Sequence, residues 1–316
     1  MTYPSETLFP SDTATFPADP APTITTAAVV TVNGINIEDL LVQGIDDVTS
    51  GLHKVPAKRT SNVEIPGRHG NLWVPHKRYG PGSFVIPMWI RGVNEDGTLP
   101  ADPVARTQFH QRARALVSLF TVGEQVTVRY IIPDGTYREL TAEVTDVLDF
   151  TITGYGRLTL GKVAIGLTAA DPFWSDVTAV TSTATLTTGQ TASLTEFSNA
   201  SAPMDDLVVI FGPSSNPQVT QLSTGVFVAY NGIIGAGQML VIDTSAWTVT
   251  GTLTAGGSWQ PSSAPLQHIA RIRHGGGVPR LFSLAPESPA PVIQLSQTGG
   301  GSATVTISGK QRYLLP

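Results

Sequence analysis

The 316-residue chain contains no cysteine, which excludes disulfide scaffolds, zinc–thiolate sites, iron–sulfur ligation and thiol nucleophiles together. Charge is also scarce, with 14% Asp, Glu, Lys and Arg against about 25% in an average soluble domain. Nineteen basic side chains and twenty-four acidic ones leave a formal net charge of −5, of the wrong sign for a protein dedicated to reading nucleic acid. No apolar run approaches the length that crosses a bilayer, and residues 1–16 lack the basic and apolar regions of an export signal. The chain is therefore expected neither to enter a membrane nor to be exported by a signal peptide.

Linear catalytic signatures are missing as well. There is no Gly-x-Ser-x-Gly elbow, no phosphate loop ending in Gly-Lys-Ser/Thr, no His-Glu-x-x-His and no EF-hand loop. The stretch Gly232-Ile-Ile-Gly235-Ala-Gly237 has the wrong spacing for a dinucleotide and reads as a hairpin turn. The six histidines, His53, His69, His76, His110, His268 and His274, never recur at the i, i+2 or i, i+4 spacing that puts two imidazoles on one face. The carboxylate pairs Asp46-Asp47 and Asp205-Asp206 read as solvated turn residues, because neighbours on a strand point to opposite faces. The sequence thus predicts no enzyme, no catalytic residue, no cofactor and no metal site.

What is present describes a β protein. Hydrophobic residues make up 41%, and 31 Gly and 24 Pro punctuate a chain rich in Thr and Val, which suits many short strands joined by turns. The length fits about two domains. The expected fold is mostly β, with an N-terminal β-sandwich or barrel-like domain containing one amphipathic helix, then an all-β sandwich of jelly-roll or galectin-like type. The divisions are an extended Pro-rich arm over residues 1–25, a first domain over 26–178 and a second over 179–316.

Local signals place the elements. Two β-type runs meet at Asn33-Gly34, the dipeptide that tolerates the positive φ angles of a type I′ turn. In residues 83–92, Phe84, Ile86, Met88 and Ile90 alternate on one side, and Pro87 assigns the strand to an edge or a bulge. Two further strands surround Pro133-Asp134-Gly135 and another covers residues 157–169. Between them Asp102 is the expected N-cap of a helix with Pro103 at its first position, Phe109, Ala113, Leu116 and Phe120 form the buried stripe, and Gly123 is the expected stop. After Asp171-Pro172-Phe173-Trp174 charge nearly vanishes, and turn-separated apolar runs without a helix read as a sandwich. Residues 258–279, with Arg271, Arg273 and His274, read as a surface excursion.

Charge is unevenly laid out. Lys54, Lys58, Arg59, Arg68, Lys77 and Arg78 cluster just after Glu38, Asp39, Asp46 and Asp47. Such patches on opposite flanks suit head-to-tail docking of identical copies, with Arg68, Lys77 and Arg78 meeting Asp46 and Asp47; a solvated basic loop is the simpler account of the charge alone. In the arm, Phe9 and Phe16 are spaced as anchors for a groove, with a frayed terminus as the alternative.

Over about residues 27–175 the chain resembles the distal tail protein family of long-tailed, non-contractile bacteriophages (siphoviruses), often called minor tail proteins in phages of actinobacteria. The resemblance rests on Val32-Asn33-Gly34, Ile65-Pro66-Gly67-Arg68-His69-Gly70, Lys77-Arg78-Tyr79-Gly80-Pro81-Gly82 and Phe84 to Gly92. The lone helix, the Asp134-Gly135 hairpin and Ala170-Asp171-Pro172-Phe173-Trp174 follow in the same order. It implies a homo-hexameric ring at the tail tip or baseplate of the virion, synthesised in the host cytoplasm and without catalytic residues. The implied partners are the chain itself, the tail tube protein and the tail-tip hub or tail-associated protein, with the tape-measure and receptor-binding proteins as further contacts. DNA would only pass through the bore, which suits a non-basic protein. Likeness of the second domain to carbohydrate-binding folds raises the alternative of a host-surface sugar-binding module with Trp247, Trp259 and Tyr230 as ring platforms.

Overall fold

The computed structural model describes residues 29–38, 43–45, 51–58, 63–64, 71–72, 79–147, 151–153, 160–246, 248–253, 258–259, 272–275 and 282–316. The arm anchors Phe9 and Phe16, the charged residues Asp46, Asp47, Arg68, Lys77 and Arg78, and the ring-platform residue Trp247 lie outside the described residues. The chain is mostly β, built from antiparallel sheets around two apolar cores.

The first core lies under a ten-stranded sheet. Its main path runs Ile35–Asn36, Val29–Val32, Gln125–Ile131, Tyr137–Val147, Leu160–Ala169, Gly82–Arg91 and Gln43–Ile45. The opening hairpin turns at Asn33 and Gly34, with φ of 50° and 80°, as the type I′ reading requires. Asn33 is also tied sideways, its backbone N–H donating to Thr127 O and its side-chain oxygen accepting from the Thr127 N–H. Between Leu160–Ala169 and Tyr137–Val147 the register shifts at Gly166/Leu167, a bulge that sharpens local twist and curls the sheet. Pro87 sits opposite Ala164, and on its other side the pairing with Gln43–Ile45 ends at Met88. The imino nitrogen therefore needs no ladder partner there, a local edge on an inner strand.

The helix spans Asp102–Leu119. Phe109, Leu116 and Phe120 are buried in the first core, with Ala113 partly buried against them, and Ala105 is buried as well. Two boundary expectations are corrected. The N-cap is Ala101, without a side-chain cap, and Asp102 is the first helical residue. There its carboxylate meets Arg106 one turn on, at 3.1 Å, and favours the positive helix end. The helix ends before Phe120; Gly123, at φ +86°, instead turns the chain into the Gln125–Ile131 strand.

The second core lies between two sheets. One has six strands: Val180–Thr187, Ser302–Gly309, Leu207–Phe211, Gln238–Asp243, Thr248–Leu253 and Ser258–Trp259. The other has five: Thr191–Ser193, Val292–Ser296, Gln218–Gln221, Phe227–Tyr230 and Ile272–Gly275. Phe211, Leu240 and Ile307 from the first meet Val219, Val228 and Leu295 from the second, with Phe197 and Phe282 fully enclosed. The Thr richness has a local cause on the outer face of the six-stranded sheet. Thr181 pairs with Ser308 at 2.9 Å, Thr183 with Thr306 at 2.9 Å and Thr185 with Thr304 at 3.0 Å, cross-strand hydroxyl rungs that satisfy an exposed face without charge. The expected surface excursion is corrected at its far end, because Ile272–Gly275 is a strand paired with Phe227–Tyr230.

Candidate functional site

The two cores are fastened together by the last residues of the chain. Arg312–Tyr313 leaves the sandwich and pairs antiparallel with Trp174–Asp176, which in turn pairs with Tyr137–Val147 of the first sheet. Tyr313 consequently belongs to the first core although it lies more than a hundred residues beyond it in sequence. Backbone bonds reinforce the return. Asp176 N–H donates to Gln311 O, and Ser201 and Ala202 N–H both donate to Arg312 O.

Arg312 is the centre of this clasp. Its side chain is 9% exposed and faces three carboxylates: Asp171 at 2.7 Å, Asp206 at 2.5 Å and Asp205 at 3.4 Å. Its guanidinium carbon also lies 5.9 Å from the centre of the Phe173 ring. A planar donor fork can serve several carboxylates at once where an ammonium cannot. Partial burial pushes the Asp171 carboxyl above the usual carboxylate range, against the pull of Arg312. The expectation that Asp205-Asp206 is a solvated pair pointing two ways is corrected. Both precede the Leu207–Phe211 strand, so strand alternation does not apply and both carboxylates turn to the same cation.

A second layer surrounds Tyr313. Its hydroxyl donates to Asp176 Oδ2 at 3.0 Å, and the Arg138 guanidinium stacks on its ring at 3.6 Å while donating to Leu315 O. Burial, with the Asp176 charge, pushes the Tyr313 phenol up to about 12. Asp176 is itself raised by burial, against its bond from Tyr313 and the charge of Arg138. The site is thus a dense set of charge-assisted contacts between distant parts of the chain. Its chemistry is adhesive: an arginine held by carboxylates, and a phenol kept protonated.

Beside the clasp lies an apolar recess of about 210 Å3 lined in part by Trp174, with Lys54 as the only ionisable residue of its lining among the described residues. Among the described residues no group of three or more His, Cys, Asp or Glu is placed to hold a metal. His53 is exposed, its ring 5.5 Å from that of Tyr130. Lys58 lies 5.5 Å over the ring of Tyr79. Arg112, off the helix stripe, donates to the carbonyls of Arg91 and Val93 and so fixes the helix to the end of the neighbouring strand. Tyr230, a sugar-platform residue in the alternative reading, is 2% exposed and part of the second core. Sequence reasoning missed Arg312, because nothing in the spacing of Asp171, Asp205 and Arg312 marks them as neighbours. The one available signal was a lone arginine between polar and aromatic residues in an otherwise charge-poor tail.

No family model matches the sequence, and no curated protein matches it. Among solved structures the chain is similar to a chain of the phage P2 baseplate in its activated conformation with Ca, at 9% identity and TM-score 0.33, covering 90% of this chain and 98% of that one. It is similar also to a chain of the same baseplate, activated with Sr, at 8% identity and TM-score 0.32, with the same coverage.

Proposed function

We propose that this chain is a structural component of a long, non-contractile bacteriophage tail, acting as a distal tail protein whose six copies form a ring joining the tail tube to the tail tip. The observation that carries the reading is where the clasp sits. The segment Asp171-Pro172-Phe173-Trp174 closes the series of motifs that resembles the distal tail family, and it is the segment to which the far end of the sandwich is bound. A ring whose outer sandwich serves as an attachment platform must pass load from platform to annulus, and a buried arginine with paired strands does that better than a flexible linker. In this reading the partners are further copies of the chain, the tail tube protein and the tail-tip hub. The protein makes and breaks no bonds, and DNA only passes by. Burial of Tyr230 takes one of three aromatics from the sugar-binding alternative.

Native mass measurement of the purified chain, alone and with tail tube protein, tests the proposal. A six-protomer species supports it, and a monomer under both conditions refutes it. Replacing Lys77→Glu and Arg78→Glu together is expected to weaken assembly by placing like charges across the contact, more so at low salt. Unchanged assembly at low and moderate salt would remove that patch from the interface.

A further inference from the structure

The apolar recess beside the clasp is built on the first lobe. Leu52, Phe84, Leu140 and Trp174 line it, together with Val55 and Pro56. Val55 is 49% exposed, so a branched apolar side chain stands half in water at the rim. Lys54 is exposed there too, with no carboxylate partner among the described residues.

We propose that this recess is the seat of the chain's own N-terminal arm, with the Phe16 ring inserted, Pro17 and Pro20 laid along the rim and Asp19 facing Lys54. The point where the arm joins the fold supports it. The described chain starts at Val29, paired with Ile131. The neighbouring Tyr130 has its ring 5.5 Å from His53 and 6.4 Å from Trp174, the first adjoining the recess and the second lining it. Phe16 lies thirteen residue steps before Val29, a reach of up to about 43 Å, so the arm is long enough to turn back. Tethering at that length supplies an effective concentration that a second copy in dilute solution cannot match.

The chemistry of the arm matches that of the recess. Its charged side chains are Glu6, Asp12 and Asp19, all acidic, against Lys54 in the lining and Lys58 next along the chain from the lining residue Ala57. Pro17, Pro20 and Pro22 favour an extended helix of three residues per turn, which loses little entropy on docking and presents Pro17 and Pro20 on one side. An aromatic anchor followed by such a segment suits a shallow apolar seat. The inference stands apart from the proposed tail function, since it needs only one copy of the chain.

The absence of cysteine makes the contact directly measurable. In the full chain, Ala18→Cys with Val55→Cys creates one thiol pair, which closes readily only when the two Cα atoms come within about 7 Å. Expected is an intramolecular disulfide under mild oxidation, at a rate independent of protein concentration. Phe16→Ser should slow it at least about tenfold, because withdrawing a phenyl ring from water is worth more than one power of ten. Lys54→Glu should slow it further. No cross-link, or a rate unchanged by Phe16→Ser, overturns the proposal. So does a disulfide between chains that grows with concentration, which would assign the recess to the arm of a second copy.

Discussion

Replacing Arg312 by alanine tests the clasp most directly, and the structure bounds the cost. Exposed ion pairs contribute about 0.2–1 kcal/mol each, whereas removing one partner of a buried pair costs about 3–5 kcal/mol. Arg312 lies between these limits: its own side chain is 9% exposed, but Asp171, Asp205 and Asp206 keep 50%, 51% and 62% of theirs. Deleting the cation leaves carboxylates that water can reach, so the buried-charge penalty does not apply in full. Three surface-grade pairs and the packing of the aliphatic stem sum to about 2–3 kcal/mol. Urea unfolding followed by tryptophan fluorescence measures it, with hydrogen exchange at residues 311–314 reporting the clasp locally. Arg312→Lys should recover part of the loss, since an ammonium keeps the charge but not the fork. The cost should also depend on pH. Near neutrality the carboxylates left behind repel one another, and acid that neutralises carboxylates removes both that repulsion and the attraction Arg312 supplied. A loss under about 0.5 kcal/mol, or one equal at pH 3 and pH 7, would refute the reasoning.

Other expectations follow from the same geometry. Because the Tyr313 phenol is raised from 10.0 to about 12, its contribution to stability is complete below pH 10 and is lost as pH rises through 12. Absorbance titration near 295 nm should show one late tyrosine, and Tyr313→Phe should remove that part of the alkaline destabilisation. Asp176, raised by burial, has the same sign in the acid range: its contribution is greatest below the unfolded carboxyl value and lost as pH rises through the folded one. Asp176→Asn should therefore gain on the natural chain between pH 3 and pH 7 in chemical denaturation. At Gly92 a methyl group would lie 2.3 Å from the Ala105 carbonyl oxygen, so Gly92→Ala must push the helix off the sheet. A cost of about 2–3 kcal/mol is expected, read as a lowered thermal midpoint; a neutral result would mean that strand and helix part freely.

Much of the first half was legible because its signals are local. Asn33-Gly34 needs positive φ wherever it stands, the alternation of Phe84, Ile86, Met88 and Ile90 follows from strand geometry, and the spacing of Phe109, Leu116 and Phe120 follows from helical pitch. The misreadings are local too, and each has a competing cause. Asp102 resembles an N-cap but serves as the first helical residue, where its charge meets both the helix end and Arg106. Pro87 was right to forbid a ladder partner, but a strand can lie inside a sheet and still lack a neighbour at one residue. Asp205 and Asp206 were read by strand alternation in a place where the chain is not yet a strand.

By itself the sequence determined class and chemistry: a charge-poor, cysteine-free chain of short strands with one amphipathic helix and no recognisable catalytic motif. Period, turn and propensity act over a few residues, and composition can report them. Tertiary structure alone decided that Arg312 and Tyr313 return to the first sheet, that Asp171 shares a cation with Asp205 and Asp206, and that Trp174 lines an apolar recess. Those contacts join residues far apart in sequence, so no periodicity encodes them. They exist because the packing of the two apolar cores, to which Tyr313 itself contributes, brings these segments side by side, and no local pattern reports that packing.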